Sequence, residues 1–442
     1  MKNILVIGAG RSSSTLIQYL LNHSSTESWT VTVADVSLEL VLQKTQGHPN
    51  SKAIEFDVNN VDQRQSEIKA ADVVVSMLPA FMHLLVANDC LEYGKHLITA
   101  SYVSKEIAAL DWEVKNKGLL FLSEMGLDPG IDHMSAMQLI DRIKAQGGEV
   151  LSFKSYCGGL VAPESNDNPW GYKFTWNPRN VVLAGQGTAQ YIENGAYKYI
   201  PYNRLFTQTE TVRVEGHGSF DAYANRDSLS YRKPYGLTDI PTMLRGTLRM
   251  PGYCKAWNAF VRLGLTDDTY KVVDAERMTY AEWIAAYLPD GNEPELSKRL
   301  ARFLQEEEQS EVMQKIKWLG ILGNDKINLQ DASPAQILQE LLERKLKLQE
   351  QDKDMIVMQH QFVYTLAKQT RKINSSLLVT GADQVHTAMA QTVGLPMAIA
   401  VRLLLKGQIK SRGVRIPTSS EIYEPVLKEL DSLGVKFDER EG

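Results

Sequence analysis

The chain has 442 residues, of which 43% are hydrophobic, 23% charged and 8% aromatic, a composition that favours two or three globular domains and excludes collagen-like, disordered and disulfide-scaffold proteins. Its 48 basic and 53 acidic residues give a net charge of -5. This balance argues against a protein that binds the phosphate backbone of nucleic acid.

Cysteine content and apolar runs indicate the compartment. The three cysteines, Cys90, Cys157 and Cys254, are too few and too far apart for a disulfide framework or a CxxC metal site. The N-terminal sequence MKNILVIG lacks the pattern of a secretory signal. The longest apolar stretches, residues 72–80 and 396–405, are shorter than the roughly 20 residues that cross a bilayer. We expect a cytoplasmic protein that binds no metal and no membrane.

The first 125 residues alternate short β-branched runs with amphipathic stretches. The runs predict buried strands at Ile4–Ile7, Thr30–Ala34, Val73–Ser76, His96–Thr99 and Leu119–Leu122. The stretches between them predict helices at Ser12–Asn22, Leu38–Lys44, Met82–Tyr93 and Lys105–Lys115. Alternating strands and helices are typical of an α/β fold, so we predict a Rossmann-type, doubly wound parallel sheet.

The pattern changes after Gly126. Residues 148–247 are rich in Tyr, Asn, Gly and Pro, with strands predicted at Val150–Tyr156 and Thr211–Gly216, which favours a mixed sheet in a second domain. Residues 279–347 predict helices. The remaining predicted elements are strands at Met355–His360 and Ser376–Gly381, a helix at Thr387–Lys406, a last helix capped by Ser419 and Ser420 and ended by Gly434, and a final strand.

A glycine-rich turn follows the first predicted strand. Gly8 suits the tight turn, Gly10 lets backbone N–H groups approach a pyrophosphate, and Arg11, Ser12 and Ser13 open the next helix. In dinucleotide-binding turns of this kind a third glycine stands where this chain has Ser13. A glycine-rich turn that binds no ligand is therefore the alternative to a dinucleotide site. Asp35 ends the second strand about 25 residues later, where a carboxylate can accept hydrogen bonds from ribose hydroxyls. Together they predict a dinucleotide site.

Two further groups extend this predicted cofactor site. Asp57, with Val58 beside it, ends the third predicted strand, where it can hydrogen-bond an adenine edge. Ser76, Met77 and Leu78 follow the fourth strand, where this fold crosses the cofactor.

The segment Glu124–His133 combines turn residues with three carboxylates and a histidine after the sixth predicted strand, where open α/β sheets place ligands. Asp128 is a candidate for proton transfer. A structural turn or helix cap is the alternative for Asp128 and the preferred interpretation of Asp132. We expect His133 to pack or to hydrogen-bond, since no second histidine lies at metal spacing.

Several motifs in order resemble the saccharopine dehydrogenases of the L-glutamate-forming type, also called saccharopine reductases. The motifs are residues 126–133, 156–160, 162–164, 168–176, 225–228, 244–249, 353–358, 392–396 and 421–425. The resemblance covers essentially the whole chain and is greatest to the dehydrogenase half of the bifunctional lysine-degrading enzymes. The carboxynorspermidine dehydrogenases share part of the pattern.

The resemblance implies a domain arrangement. Residues 1–125 and about 392–442 would form the dinucleotide-binding domain. Residues 126–391 would form the substrate-binding and dimerisation domain, with a helical subdomain at about 279–347. It also implies a homodimer, and a lysine-ketoglutarate reductase as a possible pathway partner.

The implied reaction is the oxidation of saccharopine by NAD(P)⁺ and water to L-glutamate and 2-aminoadipate 6-semialdehyde, or its reverse. A carboxynorspermidine-type condensation and a non-catalytic dinucleotide-binding relative are the alternatives. By motif position, the substrate-binding residues would be Ser101, Tyr102, Asp128, Cys157, Arg226, Thr247, Leu248 and Arg249. The resemblance adds Ser101, Leu127, Asp128 and Trp176 to the cofactor site.

These positions suggest roles. We expect Asp128 to act as the acid/base or water-positioning group, with Tyr102 as its hydrogen-bond partner. Arg226 and Arg249 suit carboxylate capture, although either could form a structural ion pair. Cys157 is most simply a packed side chain, since the reaction needs no thiol. Lys173 and Trp176 are expected at the junction of cofactor and substrate.

The residues after the second strand bear on the choice of cofactor. Asp35 would repel a 2′-phosphate, and no Lys or Arg lies between Asp35 and Lys44. Arg11 is the local cation that could offset this repulsion. We therefore expect NAD to be preferred, with NADP possible.

Overall fold

The computed structural model describes residues 1–290 and 293–441. The chain divides into two compact units, Met1–Val150 with Tyr364–Gly442, and Leu151–Val363. The predicted domain boundaries, which rest on the resemblance, differ from this division and stay a prediction. Residues 291 and 292 of the predicted helical subdomain and residue 442 of the predicted C-terminal segment lie outside the described residues.

The strands of the described ranges, in chain order, are β1 Lys2–Ile7, β2 Trp29–Asp35, β3 Ser51–Glu55, β4 Val73–Ser76, β5 His96–Thr99, β6 Leu120–Leu122, β7 Glu149–Val161, β8 Ala189–Glu193, β9 Ala196–Ile200, β10 Glu210–Val214, β11 Gly218–Ala224, β12 Thr242–Arg249, β13 Asp354–Leu366, β14 Gln369–Thr380, β15 Gly413–Arg415 and β16 Phe437–Glu441.

The α-helices of the same ranges are α1 Ser14–Glu27, α2 Leu38–Thr45, α3 Val61–Ala70, α4 His83–Tyr93, α5 Lys105–Ala109, α6 Asp111–Asn116, α7 Ile131–Ala145, α8 Pro178–Val182, α9 Tyr202–Leu205, α10 Tyr253–Leu263, α11 Tyr280–Ala285, α12 Leu296–Leu304, α13 Glu311–Trp318, α14 Pro334–Lys345, α15 Ala388–Leu405 and α16 Ser420–Ser432.

The first unit contains a parallel seven-stranded sheet of order β15-β6-β5-β4-β1-β2-β3. Its central strands are fully buried, as Ile4–Ile7 and Val73–Val75 show, because helices cover both faces of such sheets and favour β-branched residues inside. The predicted doubly wound sheet is confirmed. Strand order reverses beside β1, which places a crevice at the carboxyl ends of β1 and β4.

The helices of this unit differ from the sequence predictions in several places. The first helix begins as a 3-10 turn at Arg11–Ser13 and continues as α1 five residues beyond the predicted end at Asn22. The helix predicted over Lys105–Lys115 is divided at Leu110 into α5 and α6. The predicted hydroxyl cap of the last helix is wrong, because the N-cap residue Ser419 makes no side-chain capping bond.

Among the described helices, α15 alone is long and apolar enough to span a membrane by length and composition. Within the chain, 78% of this helix is buried. It lies against α1 in the first unit, where a Cβ at Gly394 would come within 2.8 Å of the Leu16 nitrogen. The close approach identifies a tightly packed core helix. The other strands of this unit, β14 and β16, pair antiparallel.

The second unit has a mixed sheet, as predicted. Strands β10, β11, β12, β7 and β13 lie in this order. Strand β12 runs parallel to β7 and antiparallel to β11. Strand β8 pairs with β12 and β9 pairs with β8. Helices α11 to α14 follow, and capping boxes at Thr279–Glu282 and Ser333–Gln336 begin α11 and α14.

Candidate functional site

The glycine turn lies at the switch point of the parallel sheet. Ile7 at the end of β1 is in register with Ala34 of β2 and Ser76 of β4. Gly8 has φ +107°, and a Cβ there would lie 3.1 Å from Met77 Cβ, so a larger residue would be strained and crowded. A Cβ at Gly10 would meet nothing within 4 Å. The helix N-terminus after Gly10 therefore faces open space, which suits a dinucleotide pyrophosphate.

The carboxylate of Asp35 is fixed beside this turn. Its Oδ2 accepts a hydrogen bond from the Ala9 N–H at 2.7 Å, and its Oδ1 accepts one from the Ser37 N–H at 3.0 Å. Asp35 remains partly exposed. A charged acceptor in this position can bind ribose hydroxyls with its remaining lone pairs.

Lys44 introduces a cation that the sequence analysis did not use. Its Nζ donates a hydrogen bond to the hydroxyl of Ser14 at the start of α1. Partial burial lowers the pKa of Lys44 to about 8, and the nearby charge of Asp35 acts in the opposite direction. Lys44 therefore lies near the adenosine end of the predicted cofactor site.

The other predicted cofactor residues differ in exposure. Those with buried side chains are Ser13, Val58, Ser76 and Leu127. Those partly exposed are Ser12, Met77, Leu78, Ser101 and Asp128, and those exposed are Arg11 and Asp57. The Ser13 hydroxyl donates to the Gly10 carbonyl at 2.8 Å, and the Asp57 carboxylate accepts from the Asn59 N–H at 2.9 Å.

A buried histidine connects the ends of β4 and β5. His83, at the start of α4, places Nδ1 2.9 Å from the Ser76 hydroxyl and Nε2 2.8 Å from the Ser101 hydroxyl. The Thr99 hydroxyl lies 3.2 Å from the same Nε2. Burial lowers the pKa of His83 to about 4, so the imidazole is neutral near pH 7.

Tyr102 and Asp128 form the predicted acid/base pair. The Tyr102 hydroxyl donates to Asp128 Oδ1 at 3.3 Å. Tyr102 is 49% exposed and Asp128 is partly exposed, so both groups are accessible to a ligand. Asp128 lies in the turn between β6 and α7, at the same edge of the sheet as the glycine turn.

Glu124 holds the two segments of this pair together. It accepts from the Val103 N–H through Oε1 at 3.1 Å, and its own N–H donates to the Ser101 carbonyl at 3.0 Å. Its Oε2 lies 2.8 Å from His133 Nε2, while His133 Nδ1 lies 3.6 Å from Asp132. His133 is thus a buried hydrogen-bonding residue, as expected. The network fixes the backbone on both sides of the Tyr102–Asp128 contact.

In the second unit, adjacent strands bring three predicted substrate residues together. Thr247 of β12 is in register with Cys157 of β7. The Thr247 hydroxyl donates to Asn225 Oδ1 at 2.7 Å. Arg226 is the next residue along the chain after Asn225. The Arg226 side chain is exposed and makes no hydrogen bond or ion pair to any described residue. Its guanidinium is available to a carboxylate.

Arg249 lies two residues beyond Thr247 and on the same face of β12. Its guanidinium lies 5.4 Å from the ring centres of Tyr172 and Tyr253 and 5.9 Å from that of Tyr223. The side chain is 4% exposed, and its Nη1 donates to the Leu248 carbonyl at 3.1 Å. Cation–π contacts therefore hold the charge in a tyrosine cage.

The remaining predicted positions of this unit have different surroundings. Lys173 is buried and forms ion pairs with Asp167 at 2.9 Å and Asp352 at 2.6 Å. Both carboxylates neutralise its charge, and its expected place at the junction of cofactor and substrate stays a prediction. Trp176 is partly exposed before α8, and the side chain of Leu248 is fully buried.

Two further classes of side chain were considered in the sequence analysis, namely potential metal ligands and cysteines. Across residues 1–290 and 293–441, no group of three or more His, Cys, Asp or Glu side chains could hold a metal ion. Cys90, Cys157 and Cys254 are all buried free thiols.

Sequence reasoning missed three residues of this site. Lys44 could have been found, since it lies three residues after Val41 and beside Thr45 on the buried face of α2. His83 follows the fourth strand by seven residues, a distance that no local pattern connects to Ser101. Glu124 was noted only as part of its segment.

Comparisons with known proteins agree with the fold and cover the whole chain. The family model described as saccharopine dehydrogenase NADP binding domain matches residues 4–122, and the one described as saccharopine dehydrogenase C-terminal domain matches residues 126–435.

Individual relatives extend over the same length. The chain is 31% identical to the saccharopine dehydrogenase [NADP(+), L-glutamate-forming] of Schizosaccharomyces pombe, over 99% of both proteins. It is 33% identical to the mitochondrial alpha-aminoadipic semialdehyde synthase of Rattus norvegicus, over 99% of this chain and 47% of that protein.

Two solved structures match nearly the full length of the chain. The apo saccharopine dehydrogenase (L-Glu forming) of Saccharomyces cerevisiae superposes with a TM-score of 0.89 at 30% identity over 100% of both chains. The homospermidine synthase of Legionella pneumophila, at 10% identity and a TM-score of 0.58, shares the fold alone. The chain belongs to the saccharopine dehydrogenase family.

Proposed function

We propose that this protein is an L-glutamate-forming saccharopine dehydrogenase. It oxidises saccharopine with a nicotinamide dinucleotide and water to L-glutamate and 2-aminoadipate 6-semialdehyde, or catalyses the reverse. The observation that carries the proposal is the full-length similarity to enzymes of that name, in sequence and in fold. A steady-state assay with saccharopine tests the proposal, and the carboxynorspermidine reaction is assayed as its control. Activity in the control reaction alone, or no turnover in either assay, would favour one of the two alternatives.

The residues of the first unit suit the chemistry of this reaction. When bound, the oxidised nicotinamide supplies the hydride acceptor. In the proposed roles, Asp128 accepts the proton of the secondary ammonium group of saccharopine and releases it to solvent. It then takes a proton from the water that attacks the imine and returns that proton to the departing glutamate amine. The Tyr102 hydroxyl orients the Asp128 carboxylate through the 3.3 Å hydrogen bond.

Two arginines of the second unit suit the three carboxylates of saccharopine. Arg226 is exposed without an ion-pair partner among the described residues, so a substrate carboxylate can bind both of its terminal nitrogens. Arg249 is held in the tyrosine cage, and we propose that it acts as a fixed positive charge beside Thr247. Cys157 serves as a small packed side chain.

We propose that NAD is the preferred cofactor. The S. pombe relative is named for NADP(+). Asp35 of this chain ends β2, and the proposal is that its carboxylate binds the adenosine ribose and would face a 2′-phosphate. Repulsion and lost hydroxyl hydrogen bonds would cost about 2–4 kcal/mol. Lys44, close to Asp35, is the residue that could reduce this cost. Comparing kcat/KM for the two cofactors tests the proposal.

We further propose a cytoplasmic homodimer. Free cysteines, all buried, support a reducing compartment, and the family resemblance supports the dimer. Fractionation of cells that express the protein tests the compartment, and size-exclusion chromatography with light scattering tests the oligomeric state.

A lysine-ketoglutarate reductase is the proposed pathway partner. The chain matches 47% of the length of the rat synthase. We propose that this reductase activity forms the saccharopine that the protein consumes, and a coupled assay from lysine and 2-oxoglutarate, with the reductase added, tests whether the two activities join.

A further inference from the structure

His83 occupies a position in the first unit to which no role has been given. It begins α4, and its side chain turns inward, so that only 2% of the residue is exposed. Both ring nitrogens have hydroxyl partners, Ser76 at Nδ1 and Ser101 with Thr99 at Nε2. These hydroxyls end or follow β4 and β5, the strands next to the switch point at β1.

We propose that His83 is a positioning residue that fixes the Ser101 hydroxyl at the ligand-binding edge of the parallel sheet. The proposal rests on the proposed function, because Ser101 then faces cofactor and substrate. It assigns His83 no contact with either ligand and no part in proton transfer.

The arrangement around Ser101 supports this role. Ser101 is partly exposed and is followed by Tyr102, the partner of Asp128. Its N–H donates to Thr99 Oγ1 at 3.3 Å and its carbonyl accepts from the Glu124 N–H at 3.0 Å. The backbone is therefore fixed, and the remaining freedom is rotation of the hydroxyl, which the 2.8 Å contact with His83 restricts.

The chemistry of a histidine suits this task better than that of a charged residue. A neutral imidazole has one N–H donor and one acceptor nitrogen, so it bridges two hydroxyls in one direction. Burial lowers the pKa of His83 to about 4. The bridge therefore keeps one charge state throughout the neutral pH range, and the imidazole tautomer sets which ring nitrogen donates a hydrogen bond.

Two amide substitutions separate the two ends of the bridge. In His83→Gln, the amide reaches the place of Nε2 and can keep the contact with Ser101. In His83→Asn, the shorter side chain reaches the place of Nδ1 and keeps only the contact with Ser76. Both variants are neutral and polar, so they serve as matched controls for each other in stability.

The experiment measures kcat/KM for saccharopine, dinucleotide affinity by fluorescence of the reduced cofactor, and the melting temperature of both variants. We expect His83→Gln to stay within about threefold of the unsubstituted protein and His83→Asn to lose about tenfold in kcat/KM, at similar melting temperatures. Equal activities of the two variants, or losses that follow the melting temperatures, would overturn the proposal.

A double-mutant cycle tests whether the effect of His83 on kcat/KM depends on Ser101. If His83 acts through Ser101, then His83→Asn lowers kcat/KM much less in a Ser101→Ala background. Additive losses would overturn the proposal. Turnover of saccharopine by the unsubstituted protein tests the proposed function separately. If the protein does not turn over saccharopine, the dinucleotide affinities test the positioning role of His83. Weaker dinucleotide binding by His83→Asn than by His83→Gln would support the role, and equal binding would overturn it.

Discussion

The Asp35 carboxylate accepts a hydrogen bond from the backbone N–H of Ala9 at 2.7 Å. This contact joins the end of β2 to the glycine turn after β1. If Asp35 binds the adenosine ribose as proposed, the same contact holds its carboxylate where it would repel a 2′-phosphate.

We therefore expect kcat/KM to favour NAD over NADP by about tenfold or more. Asp35→Ser should narrow this ratio, mainly by weakening NAD binding, because the ribose hydroxyls lose a charged acceptor. Steady-state kinetics with both cofactors measure the effect. Equal use of both cofactors by the unsubstituted protein, or an unchanged ratio in the variant, would show that Asp35 does not contact the ribose.

Lys44→Gln provides the control for this result. If Asp35 dominates the choice of cofactor, the substitution changes kcat/KM for NAD and NADP by similar factors. A loss confined to NADP would instead identify Lys44 as the cation that binds its 2′-phosphate.

The Tyr102–Asp128 contact predicts unequal effects of two substitutions. Asp128→Asn keeps the shape but removes the base, so kcat should fall about 100-fold or more. Tyr102→Phe removes one hydrogen bond and should cost about tenfold or less. Tyr93→Phe, which removes a hydroxyl bonded to Gln65 in the same unit, should leave kcat unchanged. An Asp128→Asn variant with near-normal kcat would exclude the assigned role.

Arg226 should contribute mainly to substrate recognition. Since the guanidinium pairs with a substrate carboxylate and is desolvated on binding, Arg226→Ala should lower kcat/KM for saccharopine by about 100-fold, with little change in cofactor affinity. Arg213→Ala, another exposed arginine of the second unit, is the matched control and should behave as the unsubstituted protein. Near-normal kcat/KM in a folded Arg226→Ala variant would make Arg226 structural.

The burial of His83 predicts a pH dependence of stability. Its pKa falls from 6.5 to about 4 on folding, so between these values the unfolded chain binds a proton that the folded chain does not. The free energy of unfolding therefore decreases as the pH falls through this window, by at most about 3 kcal/mol from this group. Above pH 6.5 the group contributes no slope.

Urea unfolding at pH 7.0 and 4.5 measures this contribution. His83→Gln does not titrate and should lose less stability between the two pH values than the unsubstituted protein. His217→Gln, at an exposed position, should lose as much as the unsubstituted protein. An equal loss in His83→Gln would mean that His83 is protonated in the folded chain.

The parallel sheet could be predicted because each strand and helix has its own hydrophobic pattern in the local sequence. The glycine turn could be predicted because Gly8, Gly10 and Asp35 lie within about 30 residues of one another. The register of Thr247 with Cys157 could not be predicted, because it joins strands about 90 residues apart. Lys173 pairs with Asp167 in its own segment and with Asp352, which is 179 residues away, so local sequence could not predict the second ion pair. Contacts such as His83 with Ser101 depend on how α4 packs at the strand ends.

The central claim is tested most directly by incubating the purified protein with saccharopine and NAD and identifying the products by mass spectrometry. We expect L-glutamate and 2-aminoadipate 6-semialdehyde to appear together with reduced cofactor. Formation of lysine and 2-oxoglutarate, or no turnover of saccharopine with either cofactor, would contradict it.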